Sequence, residues 1–232
     1  MTASDFQRAR TPEAKLAREH AILAAARRLA TAHGVREVTV TAIADEVGMH
    51  KSAMLRYFET REDIFLRLSA HAWEEWAAGV CDDLGAVSPR TAATGPEWER
   101  AVRSIAGVLA GSLVARPLFC DLLAHTPLNL ERNVSRDTVR AFKVRAVAAV
   151  ARVAALLRTL TPLDAEGARG VVVTATSMAG ALWQMAAPGT ELRAFYESDP
   201  ELSRSVVEVE PRLTDILVAL LTGYAAGRAH ST

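Results

Sequence analysis

The stretch TVTAIADEVGMHKSAMLRYF, Thr39 to Phe58, decides how this chain is read. Thr39 or Thr41 is placed to cap a helix that runs through Val47, and Gly48 supplies a turn before a further helix over about Lys51 to Phe58. Helical spacing sends Ile43, Ala44, Val47, Met54 and Phe58 inward, which leaves His50, Lys51, Ser52, Arg56 and Tyr57 on the outer face. No carboxylate stands between Val47 and Phe58. A short helix pair joined by a tight turn can brace its second member in a DNA major groove, and a local excess of cations and hydroxyls suits a phosphate backbone.

Working outward, Thr11-Pro12-Glu13 reads as an N-cap, a first-turn proline and an early acid. Ile22, Leu23, Ala26, Leu29 and Ala30 then recur at helical spacing until His33-Gly34 stops the helix. Val35 to Val38 is too short and isolated to build a sheet. Thr60 followed by Arg61-Glu62-Asp63 predicts the cap and acidic first turn of a fourth helix, carrying Ile64, Phe65, Leu68, Trp73 and Trp76 to about Leu84. Gly85 to Gly95 has the composition of a loop. Further helices are expected at about Pro96 to Ala115, Pro117 to His125, Arg136 to Leu160, Ala165 to Ala187 and Pro211 to Arg228. Val171 to Val173 is β-branched but lies within a long Ala-rich segment whose length favours helix. The expectation is an all-α protein with a small helix-turn-helix domain over residues 1–60 and a larger helical domain over 61–232.

Composition narrows the function classes. Half of the 232 residues are hydrophobic, enough for a sizeable core without disulfides or a structural metal. Lys plus Arg equal Asp plus Glu at 27 each, so any contact with a polyanion must be local. Cys81 and Cys120 lack metal-ligand spacing and are expected as buried thiols in a reducing cytoplasm. Residues 1–20 hold Arg8, Arg10, Lys15 and Arg18 but no apolar run, so they do not read as a secretory signal. Those cations are either an arm that reaches DNA or a solvated tail. Gly170 to Thr190 is 21 residues without a charge, yet its Thr174, Thr176, Ser177, Gln184 and Pro188 favour a helix buried in protein over a membrane span. HExxH, GxSxG, a phosphate-binding Gly loop after a strand and ExxH pairs are all missing, so neither an enzyme nor a cofactor or metal site is expected.

The helix-turn-helix segment resembles the TetR family of bacterial repressors. The likeness rests on Thr39, Val40, Ile43, Ala44, Gly48, Lys51, Tyr57, Phe58 and Glu62, with conservative matches at Val47, Met54, Arg61 and Ile64. That resemblance implies that Thr39 and Tyr57 hold phosphates, that Lys51 sits at the mouth of the groove and that Arg61 anchors the backbone. Thr41, His50, Ser52 and Arg56 complete the expected DNA face. His50 and Leu55 depart from the family pattern, which usually has Ser or Thr and often Tyr there. The resemblance further implies a homodimer on double-stranded operator DNA, a small-molecule effector and no membrane partner.

In the larger domain, the family layout puts the last long helices into an intersubunit bundle. Gly167, Gly170, Ala175, Ala179 and Gly180 offer close helix approach, and Leu213, Ile216, Leu217, Leu220, Leu221 and Tyr224 form an apolar stripe. Packing within one chain is the alternative reading of both faces. Trp73, Trp76, Trp98, Phe119, Met178 and Trp183 are candidates to line an effector pocket, with polarity from His71, Asp121, His125 or Gln184. The rival function is a small-molecule-binding or scaffold bundle whose front domain contacts protein instead of DNA.

Overall fold

A computed structural model of the chain describes residues 12–88 and 94–229. Thr11, Arg8 and Arg10 lie outside the described residues, as does the middle of the Gly85–Gly95 loop. The α-helices are α1 (Pro12–His33), α2 (Val40–Glu46), α3 (Lys51–Met54), α4 (Arg61–Leu84), α5 (Pro96–Val114), α6 (Pro117–His125), α7 (Arg136–Leu160), α8 (Ala165–Ala186), α9 (Glu191–Ser198) and α10 (Val209–Ala229). A π-helical turn, Thr126–Leu130, follows α6, and a 3-10 turn, Ser203–Ser205, precedes α10. The described residues contain no strand.

Local chemistry fixes the boundaries. Thr39 caps α2 by accepting the Ala42 amide at 3.1 Å, and Thr60 caps α4 by accepting the Asp63 amide at 3.2 Å. Asp63 in turn accepts the amide of Glu59, the residue before the cap, at 3.1 Å, which fixes the chain where it enters α4. After α2, the Met49 amide reaches Ala44 O at 2.8 Å and the Gly48 amide reaches Asp45 O at 3.1 Å. This paired closure needs a left-handed residue, supplied by Gly48 at φ +63°. The regular part of α3 stops at Met54 instead of reaching Phe58. The Arg56 and Tyr57 amides reach back only three residues, to Ala53 O and Met54 O, and wind the chain more tightly.

One continuous apolar core runs from Ile22 to Ala225. Ile43, Ala44, Met54 and Phe58 are all buried, with Val47 half-buried, and α4 extends from beneath them into the larger helical layer, where it packs along α7. Trp73, Trp76 and Phe119 form a ring cluster there, with centroids 5.3 to 5.8 Å apart. The Trp76 indole N–H donates to Ser112 Oγ at 3.0 Å, so its burial leaves no orphan donor. Cys120 is buried, its thiol pushed up to about 12 by desolvation, and Cys81 is half-buried.

The small residues of α8 meet helices of the same chain. A Cβ on Gly170 would fall 2.4 Å from the Tyr224 hydroxyl, and one on Gly180 would fall 2.8 Å from the Ala124 amide nitrogen. Gly167 likewise lies beneath the Tyr224 ring, while Ala175 and Ala179 are buried. These close approaches are intrachain packing onto α10 and α6. Apolar periodicity gives no sign of α9, because this helix buries no side chain. No single described helix is long and apolar enough to cross a membrane.

Candidate nucleic-acid interface and its link to the core

The outer surface of the α2–α3 unit presents Thr39, Thr41, His50, Lys51, Ser52 and Arg56, all exposed, with Tyr57 half-buried against the core. His50 and Ser52 hold each other through Nδ1 and Oγ at 3.0 Å. Lys51 and Arg56 have no ion-pair partner among the described residues, which leaves both cations to the solvent. Several flanking acids are turned elsewhere. Glu46 takes the Arg28 guanidinium at 2.9 and 3.3 Å, Glu59 accepts the Ser135 amide at 3.0 Å, and buried Asp63 is gripped by Arg67 at 2.9 and 3.2 Å. The face is therefore locally cationic within a neutral chain.

Arg61 is placed differently from the other residues expected at DNA. Its Nε donates to Val38 O at 2.5 Å, an Nη donates to Val35 O, and the other Nη lies 3.4 Å from Glu62. The guanidinium also covers the Phe65 ring at 4.6 Å. Its donors point into the fold and hold the loop that leads into α2.

That loop is held from a second side. The carboxylate of Asp121, on α6, accepts the Val35 amide at 2.6 Å, while its other oxygen takes Gln184 of α8 at 2.8 Å and lies 3.3 Å from His125. Burial alone would push this carboxyl up, but bonds from His125, the Val35 amide and Gln184 outweigh it and hold the group below the usual carboxylate value. Asp121, His125 and Gln184 thus form an interhelical node, joined to the segment before Thr39. A further link, Arg27 of α1 to Glu75 of α4 at 2.8 and 3.2 Å, ties the front helices to the core. None of these long-range pairings leaves a sequence motif.

The aromatic candidates separate by position. Trp73, Trp76 and Trp98 are interior, at 8, 0 and 3% exposure, and Met178 is half-buried against the core. The buried Trp98 indole nitrogen has no hydrogen-bond partner among the described residues. Phe119 borders a cleft of about 250 Å³ between α1, α4 and α6. Trp183 borders an open groove of about 760 Å³ with Arg193, where α8 gives way to α9 and the start of α10.

Comparison with known proteins follows this division of the chain. The family model described as Bacterial regulatory proteins, tetR family, matches residues 22–68, and that described as Tetracyclin repressor-like, C-terminal domain, matches residues 74–228. Among solved structures, the chain is similar to the transcriptional regulator FadR from Bacillus subtilis in complex with stearoyl-CoA. Identity there is 15%, over 86% of this chain and 97% of that one, at TM-score 0.52. A TetR/AcrR transcriptional regulator from Thermobifida fusca is similar at 16% identity, over 87% and 97% of the two chains, at TM-score 0.51. At such identities the likeness is one of fold. No curated protein matches the sequence.

Proposed function

Because the chain belongs to the tetR family of bacterial regulatory proteins, we propose that it is a repressor that binds a palindromic operator as a homodimer and is released by a small apolar or amphipathic effector. The observation that carries the DNA reading is the exposed Lys51 and Arg56, without an ion-pair partner among the described residues, beside Thr39, Thr41, His50, Ser52 and the Tyr57 hydroxyl. Arg61 leaves the contact set and becomes the residue that holds the α1–α2 loop in place.

Release follows from the same loop. Asp121 grips it from α6 and Arg61 from α4, so a ligand that shifts either helix relative to α1 moves the cap of α2. We take residues 1–60 as the DNA-binding unit and 61–232 as the unit that senses and dimerises, with α4 common to the core of both. For the dimer, α8 offers Val173, Ser177, Ala181 and Met185 as an exposed row spaced at i, i+4. α10 adds exposed Ala219 and Gly223.

The test is a gel shift of the full chain against the DNA upstream of its own gene, repeated at several salt concentrations. A specific complex whose affinity falls steeply with salt is expected. Equal affinity for that DNA and for a scrambled duplex would favour a scaffold bundle instead.

A further inference from the structure

The cleft between α1, α4 and α6 has the features of a small-molecule site. Its wall is apolar, made by Leu68 and Ala72 of α4 and by Leu118, Phe119 and Leu122 of α6. Its volume, about 250 Å³, lies just under the range of pockets for drug-sized ligands. Polar groups gather at the rim, where Arg27 and Glu75 already satisfy each other. Arg116 does not share that arrangement. One of its amines donates to Ser112 O at 2.6 Å, and no carboxylate lies within ion-pair distance of it among the described residues. The guanidinium is half-buried, and Gly79 makes room for it: a Cβ there would fall 2.6 Å from Nη2. Arg116 also stands immediately before Pro117, at the start of α6, where the positive end of the helix dipole adds to its own charge.

We propose that this cleft binds a small amphipathic monoanion, an aryl or short alkyl carboxylate, with its carboxylate on Arg116 and its apolar part against Leu118 and Phe119. The inference rests on the regulator reading for its purpose but not for its chemistry. A half-buried guanidinium without a counter-ion beside an apolar wall selects a ligand that is anionic at one end and apolar at the other. Asp121 lies one helical turn beyond Pro117, so an occupant wedged between α6 and α1 acts directly on the Asp121–Val35 bond.

The experiment titrates the full chain, without DNA, with sodium phenylacetate and with its uncharged counterpart phenylacetamide. Tryptophan fluorescence is the readout, since Trp73 packs on Phe119 at 5.3 Å. Saturable phenylacetate binding is expected, with the amide weaker by about tenfold or more. Arg116→Gln should lose that preference and Arg116→Lys should keep part of it. Ala72→Leu fills the cleft without touching a charge and should abolish binding of both probes. Melting curves of each variant show whether it is folded. Phenylacetate binding unchanged in Arg116→Gln and Ala72→Leu, or no saturation by about 10 mM, overturns the proposal. Failure of operator binding is a separate result, because no DNA enters this titration.

Discussion

Arg61 and Lys51 occupy motif positions that resemblance assigns alike to DNA, yet their surroundings separate them. Arg61 makes charged hydrogen bonds to the Val35 and Val38 carbonyls, whereas Lys51 is exposed and has no ion-pair partner among the described residues. Arg61→Ala is therefore expected to lower unfolding free energy by about 1.5 to 3 kcal/mol for each charged bond lost. Lys51→Ala should leave the melting temperature unchanged while weakening operator binding and reducing the log-log salt slope by about one. Chemical denaturation and salt-dependent gel shifts of both variants check the pair. If Lys51→Ala binds with the parent slope, Lys51 makes no phosphate contact.

Titration adds a second prediction at this scale. Burial, and next the Arg145 guanidinium, lower the His71 pKa below 6.5, against the opposing pull of Glu74 and Glu75. Near that value the unfolded chain binds a proton that the folded chain refuses, so stability falls as pH drops through about 6.5. Asp121, held below the usual carboxylate value, adds a further loss at more acid pH by the same sign. The melting temperature should fall between about pH 7.5 and 5.5, and His71→Gln should reduce that fall. An identical fall in the variant would remove His71 as a cause.

At the scale of the element, the two kinds of glycine in these helices should behave oppositely. Gly180 faces the Ala124 backbone at 2.8 Å from a built Cβ, whereas Gly107 of α5 meets nothing within 4 Å. Gly180→Ala is expected to destabilise by about 1 to 3 kcal/mol through overpacking of α8 on α6. Gly107→Ala should stabilise by about 0.5 to 1 kcal/mol, the helix propensity it restores. Denaturant midpoints read both signs, and a neutral Gly180→Ala would mean that α6 yields freely.

These helices also show why some of the architecture was legible and some was not. Thr39, Gly48, Thr60 and the prolines at 12, 96 and 117 are local signals, and the structure places α1, α2, α4, α5 and α6 by them. α7 and α8 follow from long apolar periods. α9 has a cap in Thr190 but no buried face, and in the π-turn after α6 the Thr126 hydroxyl donates to Leu122 O at 2.7 Å and lies 3.4 Å from Ser69 Oγ, the latter an approach between residues distant in sequence. The same holds for the site: the outer face of α2–α3 follows from helical spacing, whereas the inward turn of Arg61 and the Asp121 node exist only once α4 and α6 are assembled around the α1–α2 loop.

For the whole molecule, the proposed binding to a palindromic operator requires two such faces to be held on one duplex. A twofold dimer would set its recognition helices about 34 to 36 Å apart, one DNA turn, or somewhat more. The small residues of α8 are already engaged by Tyr224 and α6, so the proposed dimer would form from what stays outside. That surface includes Val173 at 41% and Met185 at 60% exposure, with Ser177 and Ala181 between them. A charge in the middle of this row should be tolerated by the monomer, because the position is exposed, and refused by a packed interface, because a buried unpaired carboxylate is costly. Ala181→Glu is thus expected to keep the parent helicity and melting behaviour of an isolated chain while shifting light scattering from dimer to monomer at micromolar concentration. Operator affinity should fall with it, since each half-site is then bound alone. A variant that remains dimeric and binds DNA as tightly as its parent would place the interface on another face of the molecule.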